Sequence, residues 1–409
     1  MAKRIGAAGR RALWGAVLAT ALGLCGWPAA AQTIKVGVIL TYSGPAASLG
    51  DQIDKGLSLY VKEHEKDLPS GVKVELIRRD DTGPNPETAK RLAQELITRD
   101  HVQFLTGVVW SPNAGAIAPL TAEAKVPFVD SNAAAVALTR ASPYLARVSF
   151  TLWQECLPLG KWAAEKGGLK KVYIAVSDFA PGHEAADAFS KGFKDAGGQI
   201  VDSVQFPVKD PDFVPFMQRV KDSKPDAVFV FVPSGKQATA VMKAYNDLGM
   251  KADGIKIIGP QDIVPDEELP SMGQEPLGVI TAGTYSNAAD RPANKAYVAA
   301  WKREYGDKTP PGFMSVGGWD SMAAIFSAIK ATKGKVDGDS AMAALKGWKN
   351  DSPRGPIMID PETRDIVQNI YIRRVEKQGD RLANIEFETI PQVKDPWKAL
   401  NPPNRPGLI

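Results

Sequence analysis

Cysteine and histidine are scarce in this sequence, which holds two cysteines and three histidines among its 409 residues. The histidines, His64, His101 and His183, lie far apart, and neither they nor the cysteines show the spacing of metal ligands. Cys156 is the one cysteine after residue 31, so the chain beyond that point cannot form an intramolecular disulfide. We therefore expect no metal and no cofactor, and a fold that is stabilised by hydrophobic cores.

Apolar runs long enough to span a membrane are missing after residue 31. Before that point, a basic start, an apolar stretch over residues 12–27 and an Ala-x-Ala pattern ending at Ala31 predict a signal peptide over residues 1–31. The apolar stretch is itself short for a membrane span. We therefore expect export of the mature chain to the periplasm.

Charge of one sign is not in excess in the mature chain. The full chain carries 50 Lys and Arg against 46 Asp and Glu, and four of the basic residues lie in the signal segment, which leaves 46 against 46. This balance disfavours nucleic-acid binding. Ser111 stands in no Gly-x-Ser-x-Gly elbow, and Ser43-Gly44-Pro45 lacks the Gly-Lys-Ser/Thr end of a phosphate loop. We therefore predict no catalytic residues.

Strands and helices alternate along the mature chain in two blocks. Apolar runs predict strands in the first block at 34–40, 72–78, 104–109 and 126–129. Similar runs predict strands in the second block at 172–176, 201–206, 227–232, 255–259 and 279–285. With amphipathic helices between them, such strands are typical of parallel sheets covered on both faces, and the length favours two domains.

Short polar or aromatic loops follow several of these strands. Ligands of parallel sheets bind at the carboxyl ends of the strands, so we expect the site at loops 42–45, 110–111, 131–134, 177–183, 233–235 and 260–262. In one loop, Ser111 is predicted to cap a helix whose first turn holds Pro112. A hydroxyl beside free backbone N–H groups suits a small anion, and Trp110 would supply a flat wall. The alternative is an ordinary strand-to-helix turn.

Several short segments, taken in their order, resemble a known family. They are Val36-Gly37-Val38, Tyr42-Ser43-Gly44-Pro45, Gly107-Val108-Val109-Trp110-Ser111, Ile258-Gly259-Pro260 and Gly318-Trp319-Asp320. Over residues 33–386 the chain is similar to periplasmic solute-binding proteins of the branched-chain amino-acid type. The resemblance implies a type I periplasmic binding fold, in which three crossovers, near residues 147–150, 283–285 and 365–369, join two doubly wound, Rossmann-like α/β lobes. Lobe one would hold 32–149 plus 284–365 and lobe two 150–283 plus 366–390, with an extended tail over 391–409.

The resemblance also implies a function. The lobes would close on a ligand, as a monomer, and deliver it to the membrane permease of an ABC importer. The family's carboxylate-binding serine falls on Ser111, and a threonine contact falls on Ala133-Ala134, where only backbone groups can serve. The acidic residue that binds the ligand's ammonium group falls on Gln261, whose neutral amide cannot offset that charge.

We therefore predict a small carboxylate ligand with an aromatic or hydrophobic body. A shift of one residue would place Asp262 at the ammonium position, which keeps amino-acid binding open, and His183 is either a ligand contact or solvated. Two rival functions also stay open, those of a ligand sensor of the same fold and of an exported enzyme. The predicted ligand-binding residues are Tyr42, Trp110, Ser111, Asn132, Ala133, Ala134, Phe179, Pro181, His183, Ser234, Gln261, Asp262 and Tyr285.

Overall fold

The computed structural model describes residues 32–402. The predicted signal peptide lies outside these residues, as does the end of the chain, 403–409. The strands are β1 (Gln32–Leu40), β2 (Val72–Asp80), β3 (Phe104–Gly107), β4 (Phe128–Asp130), β5 (Leu145–Arg147), β6 (Lys171–Ser177), β7 (Gln199–Phe206), β8 (Ala227–Phe231), β9 (Lys256–Pro260), β10 (Ile280–Gly283), β11 (Lys349–Ser352), β12 (Gly355–Ile359), β13 (Ile366–Gln378) and β14 (Arg381–Val393).

Helices separate most of these strands. They are α1 (Ala47–His64), α2 (Pro86–Thr98), α3 (Ser111–Ala124), α4 (Leu138–Ala141), α5 (Leu152–Glu165), α6 (Ala180–Asp195), α7 (Val214–Asp222), α8 (Lys236–Asp247), α9 (Pro292–Tyr305), α10 (Phe313–Ala331), α11 (Gly338–Leu345) and α12 (Pro396–Leu400). Among residues 32–402, none of these helices is both long enough and apolar enough to cross a bilayer.

A five-stranded parallel sheet forms lobe one, in the order β2-β1-β3-β4-β5. The whole of β3 is buried, as expected for a strand covered on both faces. The predicted strand 104–109 ends early, because Gly107 and Val108 adopt positive φ angles of 94° and 65°. That turn sends the chain sharply into α3, where a Cβ on Gly107 would lie 2.7 Å from the carbonyl oxygen of Ile39.

Helix α10 covers the lobe-one sheet together with α1, although the two are far apart in sequence. Glycines let their backbones approach closely: a Cβ on Gly56 would lie 1.9 Å from the carbonyl oxygen of Ser315, and one on Gly318 would lie 2.2 Å from that of Ile53. The segment after the second block therefore returns to pack on the lobe-one sheet. Helix α10 begins at Phe313 and includes the Gly318-Trp319-Asp320 motif.

A nine-stranded sheet forms lobe two, in the order β11-β12-β13-β10-β9-β8-β6-β7, with β14 also paired to β13. The strands β6 to β10 run parallel to their neighbours among themselves, whereas β13 is antiparallel to β10, β12 and β14. Strands β11 and β12 fall within the segment 284–365 expected in lobe one, yet they join this sheet through the start of β13.

The prediction of an extended tail over 391–409 is wrong for its described part. Residues up to Val393 belong to β14, and α12 follows. Lys398 is buried and donates a hydrogen bond of 2.6 Å to Thr139 Oγ1, and it also pairs with Asp365. Helix α12 is therefore packed against the junction of the lobes.

Buried arginines join the crossover segments between the lobes through ion pairs and hydrogen bonds. The Nε atom of Arg147 lies 3.6 Å from Asp130 Oδ2 and 3.5 Å from Asp365 Oδ1, so it links the first and third crossovers. Arg354 donates hydrogen bonds of 3.0 Å to the carbonyl oxygen of Ser149 and to Gln368 Oε1. These contacts fix the relative position of the segments about which the lobes would move.

Candidate functional site

A cavity lies between the two lobes. Its wall is formed by Leu49, Val109, Trp110, Ser111, Asn132, Ala134 and Met314 on lobe one, by Phe150 and Leu152 next to the first crossover, and by Phe179, Pro181, Phe231, Pro233, Ser234 and Asp262 on lobe two. Eight of the predicted ligand-binding residues are thus brought together. Both sheets contribute loops that follow their strands, as parallel sheets generally do.

Aromatic side chains make up much of the cavity wall and are held in place by their neighbours. The indole N–H of Trp110 donates a hydrogen bond of 2.9 Å to Thr41 Oγ1, and the Thr41 hydroxyl donates one of 2.6 Å to Asp81. On lobe two, Phe179 stacks on Phe231 with 6.0 Å between ring centroids and 28° between planes. Rigid rings on opposite lobes favour a flat apolar ligand body.

Ser111 occupies the first position of α3, and Trp110 is the N-cap, so the prediction of Ser111 as the cap is wrong. The Ser111 Oγ atom instead accepts hydrogen bonds of 3.1 Å from the backbone N–H groups of Ala134 and Ala135. Because a hydroxyl has two lone pairs and one hydrogen, these two bonds leave the O–H as the group that Ser111 can offer. The positive end of α3 lies at the same place, which favours an anionic acceptor.

Asn132 lies beside Ser111 on the cavity wall. Its side-chain amide donates a hydrogen bond of 2.9 Å to the carbonyl oxygen of Val109. The Asn132 Oδ1 atom has no partner among the described residues. The side chain is therefore held on one side and offers an acceptor on the other.

Asp262 and Ser234 are the polar side chains of the lobe-two wall. The Ser234 hydroxyl lies 3.3 Å from the carbonyl oxygen of Asp262 and 3.4 Å from its Oδ1. Burial raises the pKa of the Asp262 carboxyl to about 7, although hydrogen bonds and the Arg373 charge partly oppose the shift. Within residues 32–402, Asp262 is the one ionisable side chain on the cavity wall.

Gln261 and Tyr285 lie outside the cavity wall, contrary to the expectation that they contact the ligand. Gln261 is fully buried, and its Oε1 accepts hydrogen bonds of 2.9 Å from the N–H of Thr284 and 3.3 Å from its hydroxyl. Tyr285 is fully buried, and its carbonyl oxygen accepts from Arg373. The side chain that faces the cavity is Asp262, so the neutral amide of Gln261 is no argument against an ammonium group.

Three further predicted residues also lie away from the cavity wall. The Tyr42 hydroxyl donates a hydrogen bond of 3.0 Å to Asp54. His183 is on α6 rather than in a loop, and its half-exposed ring lies 2.9 Å from Asp178 Oδ1. The N–H of Ala133 donates to the Asp130 carboxylate at 2.9 Å, so it is not free for a ligand.

Seven cavity residues are not among the predicted ligand-binding residues: Leu49, Val109, Phe150, Leu152, Phe231, Pro233 and Met314. Phe231 ends the strand before Ser234, so the rule that located Ser234 could have found it. Phe150 lies in the first predicted crossover. Leu49, Leu152 and Met314 have no signal in the sequence that separates them from ordinary core residues.

Among residues 32–402, no group of His, Cys, Asp or Glu side chains is arranged to hold a metal ion.

A family model described as periplasmic binding protein matches residues 33–380. This chain belongs to that family. The Brucella melitensis Leu/Ile/Val-binding protein homolog 6 is 41% identical to this periplasmic binding protein over 367 residues, which is 90% of this chain and 94% of the relative. The resemblance inferred from the short motifs is confirmed.

Two crystal structures of solute-binding proteins of ABC transporters are similar to this periplasmic binding protein. One, from Rhodopseudomonas palustris BisB5 in complex with 3,4-dihydroxybenzoic acid, has 51% identity and a TM-score of 0.86, and the match covers 90% of this chain and 99% of that one. The other, from R. palustris in complex with 4-hydroxybenzoate, has 44% identity and a TM-score of 0.86, covering 89% and 98%. The predicted two-lobed α/β fold of the type I class is confirmed.

Proposed function

We propose that this protein binds a small aromatic carboxylate in the cavity between its lobes and delivers it to the permease of an ABC importer. The main support is the Ser111 hydroxyl, which lies at the positive end of α3 and between aromatic walls. Both of its lone pairs accept backbone N–H groups, so it can act toward a ligand only as a hydrogen-bond donor. A carboxylate accepts such a hydrogen bond, and Trp110 and Phe179 supply aromatic walls for a ring. The two R. palustris relatives, which were crystallised with hydroxylated benzoic acids, support the same ligand class.

Within this proposal the eight predicted residues on the cavity wall are the ligand contacts. They are Trp110, Ser111, Asn132, Ala134, Phe179, Pro181, Ser234 and Asp262. The lobes keep the proposed boundaries of 32–149 plus 284–365 and 150–283 plus 366–390, apart from β11 and β12. We further propose that the protein is exported by its signal segment, acts as a monomer and catalyses no reaction.

Amino-acid binding is the second candidate, because a specific observation favours it. Asp262 lies on the cavity wall, where a carboxylate could pair with an ammonium group. The Brucella relative is also named as a homologue of Leu/Ile/Val-binding proteins. Against this candidate, burial raises the Asp262 pKa to about 7, so the carboxyl is not strongly ionised at neutral pH without a cation beside it.

Ligand-dependent thermal unfolding of the mature protein separates the two candidates. A ligand present at about a hundredfold above its Kd stabilises the folded state by about 2.7 kcal/mol. We expect benzoate and 4-hydroxybenzoate to raise the unfolding temperature and leucine and valine to leave it unchanged. A rise with leucine or valine and none with the aromatic acids would establish the amino-acid function instead.

A further inference from the structure

The carboxyl group of Asp262 lies on the lobe-two wall of the cavity and has few hydrogen-bond donors around it. The residue is 6% exposed. One oxygen, Oδ1, receives a long hydrogen bond of 3.4 Å from Ser234, and the other, Oδ2, has no partner among residues 32–402. Leaving a buried carboxyl oxygen without a donor is costly, so a ligand that supplies one would gain that energy.

Two ligand groups could supply this donor, an ammonium group or, on the aromatic acids of the proposed function, a ring hydroxyl. Burial together with the Asp262 charge raises the pKa of Glu155 well above its ordinary value, and both carboxyl oxygens of Glu155 lack a partner among the described residues. An ammonium group needs three acceptors. Ser234 Oγ donates to Asp262 but keeps lone pairs that can accept, whereas the side-chain oxygen of Gln261 is already bonded to Thr284.

A ring hydroxyl matches the Asp262 carboxyl in either protonation state. It donates to the carboxylate and accepts from the carboxylic acid, and the pKa of about 7 lets both states occur near neutral pH. No cationic side chain lies on the described cavity wall, so a second anionic group on the ligand would remain unpaired there.

Ser111 and Asp262 lie on opposite lobes and on opposite walls of one cavity. A ligand with a carboxylate at one end and a hydroxyl across a flat ring carries one polar group for each of these walls. We infer that Asp262 binds a ring hydroxyl of the aromatic acid and thereby selects hydroxylated benzoates over benzoate. This inference rests on the proposed function and adds to it the residue that binds the ligand's second polar group, its hydroxyl.

Isothermal titration calorimetry with 4-hydroxybenzoate and benzoate tests the inference. We expect the native protein to prefer 4-hydroxybenzoate by about tenfold to a hundredfold, the range for a hydrogen bond to a charged group. In Asp262→Ala the ratio of the two affinities should fall to about one. In Asp262→Asn part of the preference should remain, because the amide oxygen still accepts. The control Asp253→Ala, which removes a half-exposed carboxylate on the surface, should keep the native ratio.

The outcomes separate this inference from the proposed function. If the native protein binds both acids equally, or if Asp262→Ala keeps the preference, the inference is overturned while aromatic-acid binding stands. If leucine binds the native protein and Asp262→Asn abolishes that binding, Asp262 is an ammonium partner and both proposals fail. Binding of benzoate by Asp262→Ala shows that the variant is folded. If this variant does not bind benzoate, the ratio of the two affinities is measured in Asp262→Asn instead. Complete loss of the preference for 4-hydroxybenzoate in Asp262→Asn would then contradict the inference.

Discussion

Ser111 is the residue on which the proposed carboxylate contact depends. In Ser111→Ala the ligand carboxylate loses a buried hydrogen-bond donor, so we expect the affinity for an aromatic acid to fall by about 1–3 kcal/mol. Calorimetric titration measures this loss directly. The substitution also removes the acceptor of the Ala134 and Ala135 N–H groups, so some loss of folding stability will accompany it.

Ser131→Ala is the matched control for that substitution. Ser131 is also buried beside the lobe-one sheet, where its Oγ accepts from the N–H of Gly107 at 3.2 Å and lies 2.7 Å from Ser321 Oγ, but it is not on the cavity wall. It should lower the unfolding temperature and leave the affinity unchanged. Equal losses of affinity in the two variants would contradict a direct contact between Ser111 and the ligand.

Single residues also show where prediction from the sequence succeeded and where it could not. The loop positions of Trp110, Ser111 and Ser234 follow from the rule that parallel sheets bind ligands at strand ends. The choice between Gln261 and Asp262 does not follow from that rule. It is decided by a short helical turn over Gln261–Ile263, which directs one side chain to Thr284 and its neighbour to the cavity.

The packing of α1 against α10 is the structural element most sensitive to a single methyl group. In Gly56→Ala the new Cβ would lie 1.9 Å from the carbonyl oxygen of Ser315, so the helices must separate. We expect a loss of about 1–3 kcal/mol in the free energy of unfolding, and more if the backbones cannot move. Denaturant unfolding measures it.

Gly115→Ala supplies the comparison within another helix of the same lobe. The nearest atom to a Cβ on Gly115 of α3 lies 3.9 Å away, which is ordinary contact. Because alanine favours helix by up to about 1 kcal/mol over glycine, this variant should be as stable as the native protein or more so. A similar loss in both variants would show that close helix packing is not the cause.

Elements with strong apolar patterns could be predicted, and those held by distant partners could not. The continuous apolar run of β8 and the period of α2 each identify their element without help from the rest of the chain. In contrast, β5 is three residues long and β14 carries many exposed polar residues. Strand β14 forms because it pairs along much of the length of β13, which no local pattern records.

Closure of the two lobes is a property of the whole molecule, and hydrogen bonding between α6 and the segment before α4 joins them outside the cavity. The Glu184 carboxylate on α6 accepts from the N–H of Val136 at 3.1 Å. In Glu184→Ala the closed form loses this bond without losing a ligand contact. We expect ligand affinity to fall by roughly fivefold, the equivalent of about 1 kcal/mol. Calorimetry with an aromatic acid measures it.

Asp187→Ala is the control for closure, because Asp187 is an exposed carboxylate on the same helix. It should bind the ligand as the native protein does. Unchanged affinity in Glu184→Ala, or an equal loss in Asp187→Ala, would contradict a role for the Glu184–Val136 bond in holding the lobes together.

The arrangement of strands along the chain has a consequence for folding during export. The lobe-two sheet is incomplete until residues 366–393 are available, and lobe one needs α10 to cover its sheet. Such contacts between distant parts of the sequence form slowly, because long loops must close first. A chain that passes through a membrane with its N-terminus leading would therefore stay without a finished core in either lobe until almost all of it had crossed. Such late completion would leave the polypeptide unfolded while it was being translocated.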